Sequence, residues 1–226
     1  MSMPADAEAA PVNLRALRLK PGMFLQTQPM SAANSVRHEA QFCAAIEGKG
    51  IMVVPIGGDA IKAELKAGEG QIVRGFTGIY DFTFHSHVIS HFTHPFAYTL
   101  LAYPEQVQAR RVRSALRIKT SLEGTLQRTA SSDRLEITVI DLSVAGAMVL
   151  SRVSPGAIGD GAKLSFKLSV DQTVYDMRLD ASICHTGKAE GEDGYRTGFA
   201  FRNLGKQERL ALQCFALAGA DDGGYL

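Results

Sequence analysis

The chain has almost no net charge: 24 Lys and Arg stand against 23 Asp and Glu, leaving +1 over 226 residues. A general nucleic-acid binder carries a clear basic excess, so any site for a polyanion here has to be local. Cysteine is scarce. Cys43, Cys184 and Cys214 are odd in number, far apart and without a CxxC pair. They argue against a disulfide framework or zinc ribbon, and for reduced, small buried hydrophobes in a cytosolic protein. No apolar run approaches the roughly 18 residues of a membrane helix. Met1 to Pro11, rich in Ala and Pro, has no apolar signal core. The expectation is a cytoplasmic protein with no direct membrane insertion. Signatures of catalysis are missing as well: there is no GxSxG, no Walker-type loop and no pair of carboxylates in a glycine-framed pocket. The chain reads as a binding protein rather than an enzyme, and nothing in it asks for a cofactor.

What is present is strand-like text. The hydrophobic fraction of 46% and charged fraction of 21% suit a soluble globular chain, long enough for two domains of roughly 100 residues. Residues 1–12 are read as a disordered leader. Residues 13–105 form a first β domain. Its apolar runs Gln41 to Ile46 and Gly50 to Ile56 flank a hairpin-like turn, Gln71 to Phe76 and Gly78 to Phe84 pair next, and Val88 to Phe92 and Phe96 to Leu101 are broken at His94-Pro95. Tyr103-Pro104-Glu105 marks a boundary, and residues 106–117 read as a polar, arginine-rich linker. Residues 118–219 alternate with period 2: Ile118, Thr120 and Leu122; Leu135, Ile137 and Val139; Leu164 to Val170; Tyr175 to Ile183; Phe199 and Phe201. Turns are expected at 131–134 and Asp171-Gln172, and a charged loop at 188–194. From Gln207 to Leu217 the spacing becomes helical, with Leu210, Cys214 and Leu217 on one stripe expected to pack on the barrel. Residues 220–226 are a tail. The fold class expected is all-β, two small antiparallel barrels with a C-terminal helix. No internal repeat is visible at the level of residues.

Two motifs carry chemistry. Arg110, Arg111, Arg113 and Arg117 place four guanidinium groups in eight residues. Such planar forks match phosphate oxygens and the O6/N7 edge of guanine in bidentate fashion, and their faces stack on purines. A solvated basic linker is the plainer alternative. The second motif, Asp141-Leu142-Ser143-Val144-Ala145-Gly146, follows an apolar strand. Gly146 allows a positive φ and a close backbone approach. Asp141 can accept from a guanine N1-H/N2-H₂ edge, or hold an arginine; Ser143 can donate or accept. Alone, the turn could simply cap its own amides. It is expected at the surface, with no nearby histidine, so Asp141 and Ser143 are not read as a nucleophilic pair.

RxxxR at 113–117, followed one hairpin later by DxSxxG at 141–146, resembles the PilZ family of cyclic di-GMP receptors. The likeness runs from about Arg110 to Leu217 and includes the closing segment Gly198-Phe199-Ala200-Phe201. It implies that Arg113 and Arg117 grip the ligand's phosphates and guanine edges, that Asp141, Ser143 and Gly146 form the complementary barrel surface, and that Arg110, Arg111 and Val112 flank the site. An apolar Val112 before RxxxR cannot donate hydrogen bonds, which favours one ligand per chain over a stacked pair. The β domain ahead of the linker is similar in layout to YcgR-type flagellar brake proteins, with a split barrel before the PilZ barrel. That layout implies a ligand-driven change of interdomain arrangement, a flagellar motor or switch partner, recruitment to the flagellar basal body, and regulation of motility. Exopolysaccharide or another output, a messenger-independent docking adaptor, and a homodimer stay open. A nonspecific nucleic-acid role is disfavoured by the charge. The cluster His85, His87, His91 and His94 has no Cys, Asp or Glu close by in sequence to complete a metal site.

Overall fold

The computed structural model describes residues 9–31, 37–56, 66–129, 131, 133–189 and 194–221. Expectations for the leader up to residue 8, for Ser132, for 190–193 of the charged loop and for 222–226 of the tail lie outside the described residues. The chain divides into two compact units, Met1–Arg113 and Ser114–Leu226.

In the first unit, β1 (Ala10–Val12) and a single 3-10 turn (Leu14–Leu17) precede six barrel strands. These are β2 (Phe24–Pro29), β3 (His38–Ile46), β4 (Gly50–Pro55), β5 (Gly70–Phe76), β6 (Tyr80–Phe92) and β7 (Tyr98–Leu101). All pairs are antiparallel and the ring closes as β2-β3-β4-β7-β6-β5. Alternation sends Leu25, Phe42, Ile51, Val53, Val73, Phe82, Val88 and Leu101 inward, each at most 5% exposed. Burying a side chain of this size contributes about 1.5–3 kcal/mol. The ring is split at β6. Its Tyr80–Thr83 stretch pairs with β8 (Val107–Arg111), and its Val88–Phe92 stretch pairs with β7. β1 pairs with β8, Val12 opposite Val107. Residues 107–111, expected as the first part of the linker, are thus a strand of this sheet, because Val107 and Ala109 are fully or nearly buried while the intervening polar side chains face out.

The second unit closes six further strands: β9 (Ile118–Arg128), β10 (Arg134–Ser143), β11 (Gly146–Ser151), β12 (Gly161–Val170), β13 (Thr173–Lys188) and β14 (Tyr195–Phe201). The ring runs β9-β10-β11-β14-β13-β12. Leu164, Phe166, Leu168, Met177, Leu179, Ile183 and Phe199 fill it. The β12–β13 hairpin turns through Asp171 and Gln172, both with positive φ (46° and 64°).

The second ring repeats the first. Adding seven to each strand number of one gives the order of the other. Even the irregularities recur: β3 bulges at Cys43 and β10 at Ile140, β6 at Ile89 and β13 at Cys184. The repeat is invisible in the residues because only topology and inward alternation are shared.

Two expectations are corrected. The C-terminal helix is present as α1 (Lys206–Asp221), but Leu210 and Leu217 point outward, 61% and 68% exposed. The face on the barrel is Ala211, Leu212 and Phe215, with Gly219 beyond them. Cys214 of the expected stripe does pack against the core, and at Gly219 a Cβ would lie 2.6 Å from the Ile118 side chain, so the approach there is close. The cysteines are free, yet none is buried, and Cys184 is exposed. Cys184 is the extra residue of a bulge, which turns it out of the inward alternation.

Candidate functional site

The arginine segment begins inside the first unit. Arg110 sits directly opposite Asp81 on β6 and forms an ion pair of 3.8 Å with it. The amides of Val112 and Arg113 both donate to the Ile79 carbonyl, at 2.9 and 3.2 Å. Arg111 Nε donates to the Arg113 carbonyl at 3.2 Å, and the Arg113 guanidinium lies 4.9 Å from the centroid of the Phe76 ring, within cation–π range. None of these arginines is without a partner. The four positive groups therefore do not form a loose solvated run: three are placed by β8 and by the turn between β5 and β6. Phe76 is a contributor that sequence spacing could not disclose.

The unit boundary falls between Arg113 and Ser114, inside RxxxR. Arg117 belongs to the second unit and is half-buried. The β9–β10 ladder ends on Lys119 opposite Asp141 and Ile118 opposite Leu142. Arg117 directly precedes Ile118, the last paired position of that ladder. The ladder thus brings the residue after Arg117 opposite Leu142 although 24 to 26 positions of sequence separate Arg117 from Asp141 and Ser143.

The turn reaches the surface at Ala145, as expected, but the residues leading into it do not. Asp141 and Ser143 are 4% and 5% exposed, and Leu142 between them is fully buried. The bulge at Ile140 shifts the inward row of β10 from Val139 to Leu142, which pairs with Ala147, and so sets Asp141 and Ser143 on the other face of the strand, where both are nonetheless buried. On β9, Thr120 donates its hydroxyl to the Val139 carbonyl beside that bulge, a support that sequence reading missed. Ser143 is the clamp of the turn. Its Oγ donates to the Gly146 carbonyl (3.1 Å) and accepts from the Ala145 and Gly146 amides (3.2 and 3.1 Å). One donor and two lone pairs are all a serine hydroxyl has.

Gly146 is required for a different reason from the one expected. Its φ is not in the left-handed region; instead a Cβ there would collide with the Phe199 carbonyl oxygen on β14. Ser at the first turn position and Gly at the fourth suit a type I turn. Asp141, Ser143, Gly146 and Arg117 are therefore gathered by one unit, while Arg110, Arg111, Val112 and Arg113 belong to the other.

Residues 108–218 match the family model described as PilZ domain. The chain is a PilZ-domain protein. The PilZ match takes in all of RxxxR, DxSxxG and α1 up to its last turn. No curated protein matches the chain. Among solved structures it is similar to the Bacillus subtilis inhibitor of motility MotI/DgrA, at 12% identity over 90% of this chain and 99% of that one (TM-score 0.47). It is also similar to Escherichia coli YcgR in complex with c-di-GMP, at 15% identity over 93% and 90% (TM-score 0.41), and to a K. pneumonia MrkH-c-di-GMP complex, at 10% identity over 89% and 89% (TM-score 0.41). The family assignment rests on the PilZ match itself.

Two histidines of the cluster, one on β6 and one after it, are held locally. His91 Nδ1 is 3.0 Å from Thr99 Oγ1, and His94 Nδ1 is 3.0 Å from Thr93 Oγ1. Among the described residues no three His, Cys, Asp or Glu side chains converge as a metal site, and no helix is long and apolar enough to cross a membrane.

Proposed function

We propose that this PilZ-domain protein is a receptor for cyclic di-GMP, with Arg113 and Arg117 gripping phosphates and guanine edges against a barrel surface made by Asp141 and the Ser143–Gly146 turn. The observation that carries the reading is the register of β9 on β10, which sets Ile118, the residue after Arg117, opposite Leu142 of DxSxxG within one unit. A carboxylate and planar guanidinium donors together offer both halves of guanine recognition: an acceptor for N1-H/N2-H₂ and forks for O6/N7. Because Ser143 is spent on its own turn, its part is to fix the backbone from which Asp141 and Gly146 present themselves. Arg110, Arg111 and Val112 flank the grip, and Val112 offers no donor for a second, stacked ligand.

A ligand held by arginines of both units couples their arrangement to nucleotide concentration, since ordering of the connecting residues is linked to binding. The output we propose is flagellar motility, through a motor or switch partner at the basal body; exopolysaccharide control is the alternative, and a homodimer is compatible with either. A messenger-independent adaptor would bind its partner without the nucleotide. Isothermal titration with cyclic di-GMP tests the receptor reading. Arg117→Ala removes one bidentate fork, worth about 1–3 kcal/mol, or roughly 5- to 150-fold in Kd; Asp141→Ala is expected to match it. Unchanged affinity in both folded variants would remove the site assignment.

A further inference from the structure

The repeated topology gives the first barrel a counterpart of the nucleotide-proposed hairpin, and that counterpart is built differently. Aligning the bulges places Ala44, Ala45 and Ile46 of β3 where the PilZ barrel has Asp141, Leu142 and Ser143. The hairpin partners agree: Ala44 faces Met52 as Asp141 faces Met148, and Ile46 faces Gly50 as Ser143 faces Gly146. In the PilZ barrel these three positions are buried; in the first barrel all three are exposed, Ile46 to 67%. The PilZ barrel carries α1 against β9, β10 and β12. Among the described residues of the first barrel no helix follows β7, and a 3-10 turn stands before β2.

At this bare end lies a pocket of about 630 Å³, inside the 300–1,000 Å³ range typical of small-ligand sites. Its walls are mainly apolar, with Leu14, Leu19, Phe42, Ala44 and Ile46 among them, and its charged lining residues are Arg15, Arg18 and Glu47, two positive against one negative. Those two arginines precede β2 much as RxxxR precedes β9. Arg18 is held in a left-handed conformation (φ 50°, ψ 49°), with its amide donating to the Arg15 carbonyl. A non-glycine residue in this region costs free energy that its surroundings must offset. Arg15 is paired only loosely, 3.6 Å from Glu47 with both side chains well exposed, so an incoming anion can take it over at little expense. The chemistry has diverged from nucleotide reading, because Ala44 and Ile46 offer no hydrogen bonds where Asp141 and Ser143 do.

We propose that this pocket binds an amphipathic monoanion, an apolar chain or ring system with one acidic head, the body against Leu14, Phe42 and Ala44 and the head on Arg15 and Arg18. The site is independent of the cyclic di-GMP reading, since every residue in it belongs to the first unit. The test uses the full chain and 1-anilinonaphthalene-8-sulfonate as the fluorescent probe, with decanoate and decanol as competitors. Saturable 1:1 binding is expected, displaced by decanoate at least tenfold more readily than by decanol. Arg15→Ala/Arg18→Ala should weaken the probe tenfold or more. Ala44→Trp, at an exposed position that leaves the core untouched, should abolish binding while the circular dichroism spectrum and Tm stay as in the wild type. Displacement of the probe by cyclic di-GMP, equal competition by decanol, or undiminished binding in the folded Ala44→Trp chain would each overturn the proposal.

Discussion

Replacing Gly146 by alanine is the sharpest single test of how the hairpin is built. The added Cβ would enter the Phe199 carbonyl oxygen, with the Phe199 carbonyl carbon only 3.2 Å away and Ala200 Cα at 3.4 Å. A carbon–oxygen contact needs about 3.3 Å, so β14 would have to retreat from β11 by about 1 Å at a point where the two are hydrogen-bonded strands of a closed ring. All three neighbouring atoms are backbone, so no side chain can swing aside to relieve the clash. The expected cost is at the upper end of overpacking penalties, about 2–3 kcal/mol. For a unit of this size that corresponds to a fall in Tm of about 8–20 °C, read by differential scanning calorimetry as a shift in the transition of the PilZ unit. Gly198→Ala is the control. Its Cβ would find side-chain atoms at 3.4–3.5 Å, ordinary contact, and should cost well under half as much. A Gly146→Ala protein that melts within 1 °C of the wild type would refute the close-approach argument, and with it the reason given for glycine in DxSxxG.

Further outcomes follow from other residues. Gln71 is 1% exposed, and neither its Oε1 nor its Nε2 meets a hydrogen-bond partner among the described residues. Gln71→Leu should therefore stabilise the first barrel by about 1–2 kcal/mol in chemical denaturation, whereas a loss of stability would mean that the amide is bonded after all. Gln172→Gly relieves a left-handed non-glycine residue in the β12–β13 turn and should add about 0.5–1 kcal/mol, measured as a higher Tm. Burial first, and the charge of Glu47 second, raise the Tyr103 phenol above its ordinary value. A raised folded-state pKa means that its contribution to stability is intact below the unfolded value near 10 and is lost as pH climbs through the folded one. Ultraviolet titration should show Glu47→Gln bringing the Tyr103 pKa part of the way back down. With Ellman's reagent, Cys184 should give the fastest thiol phase because it alone is exposed, and Cys184→Ser should remove that phase.

The strands were legible in the sequence because period-2 alternation records directly which residues face a barrel interior, as Leu164 to Val170 and Met177 to Ile183 do. The two candidate motifs were legible for the same chemical reason that makes them useful: Arg, Asp and Gly at fixed offsets are costly unless something requires them. What the sequence could not disclose depended on bulges and on distance. The bulge at Ile140 hands the inward row of β10 to Leu142 and sets Asp141 and Ser143 on the other face, where their burial goes against the expectation of a surface turn. The bulge at Cys184 turns a cysteine out of the core. Residues 107–111 look polar by count, and only the register with β6 explains why Val107 and Ala109 make them a strand. The helix was read from Leu210 and Leu217, yet it docks through Ala211, Leu212 and Phe215, one position round the helix from the expected stripe, with Gly219 closing on Ile118. The duplication of the barrel leaves no trace in residue identity because topology constrains only the inward alternation.

The central claim is that cyclic di-GMP is held jointly by RxxxR and the DxSxxG hairpin. Its most direct measurement is an equilibrium titration of the intact chain with cyclic di-GMP and, separately, with GMP, at two ionic strengths. The account predicts one saturable cyclic di-GMP site per chain, strongly preferred over GMP, and lost when Arg113 and Arg117 are both changed to alanine. Equal affinity for the two nucleotides with a steep salt dependence, or no saturable binding by the folded wild-type chain, would contradict it.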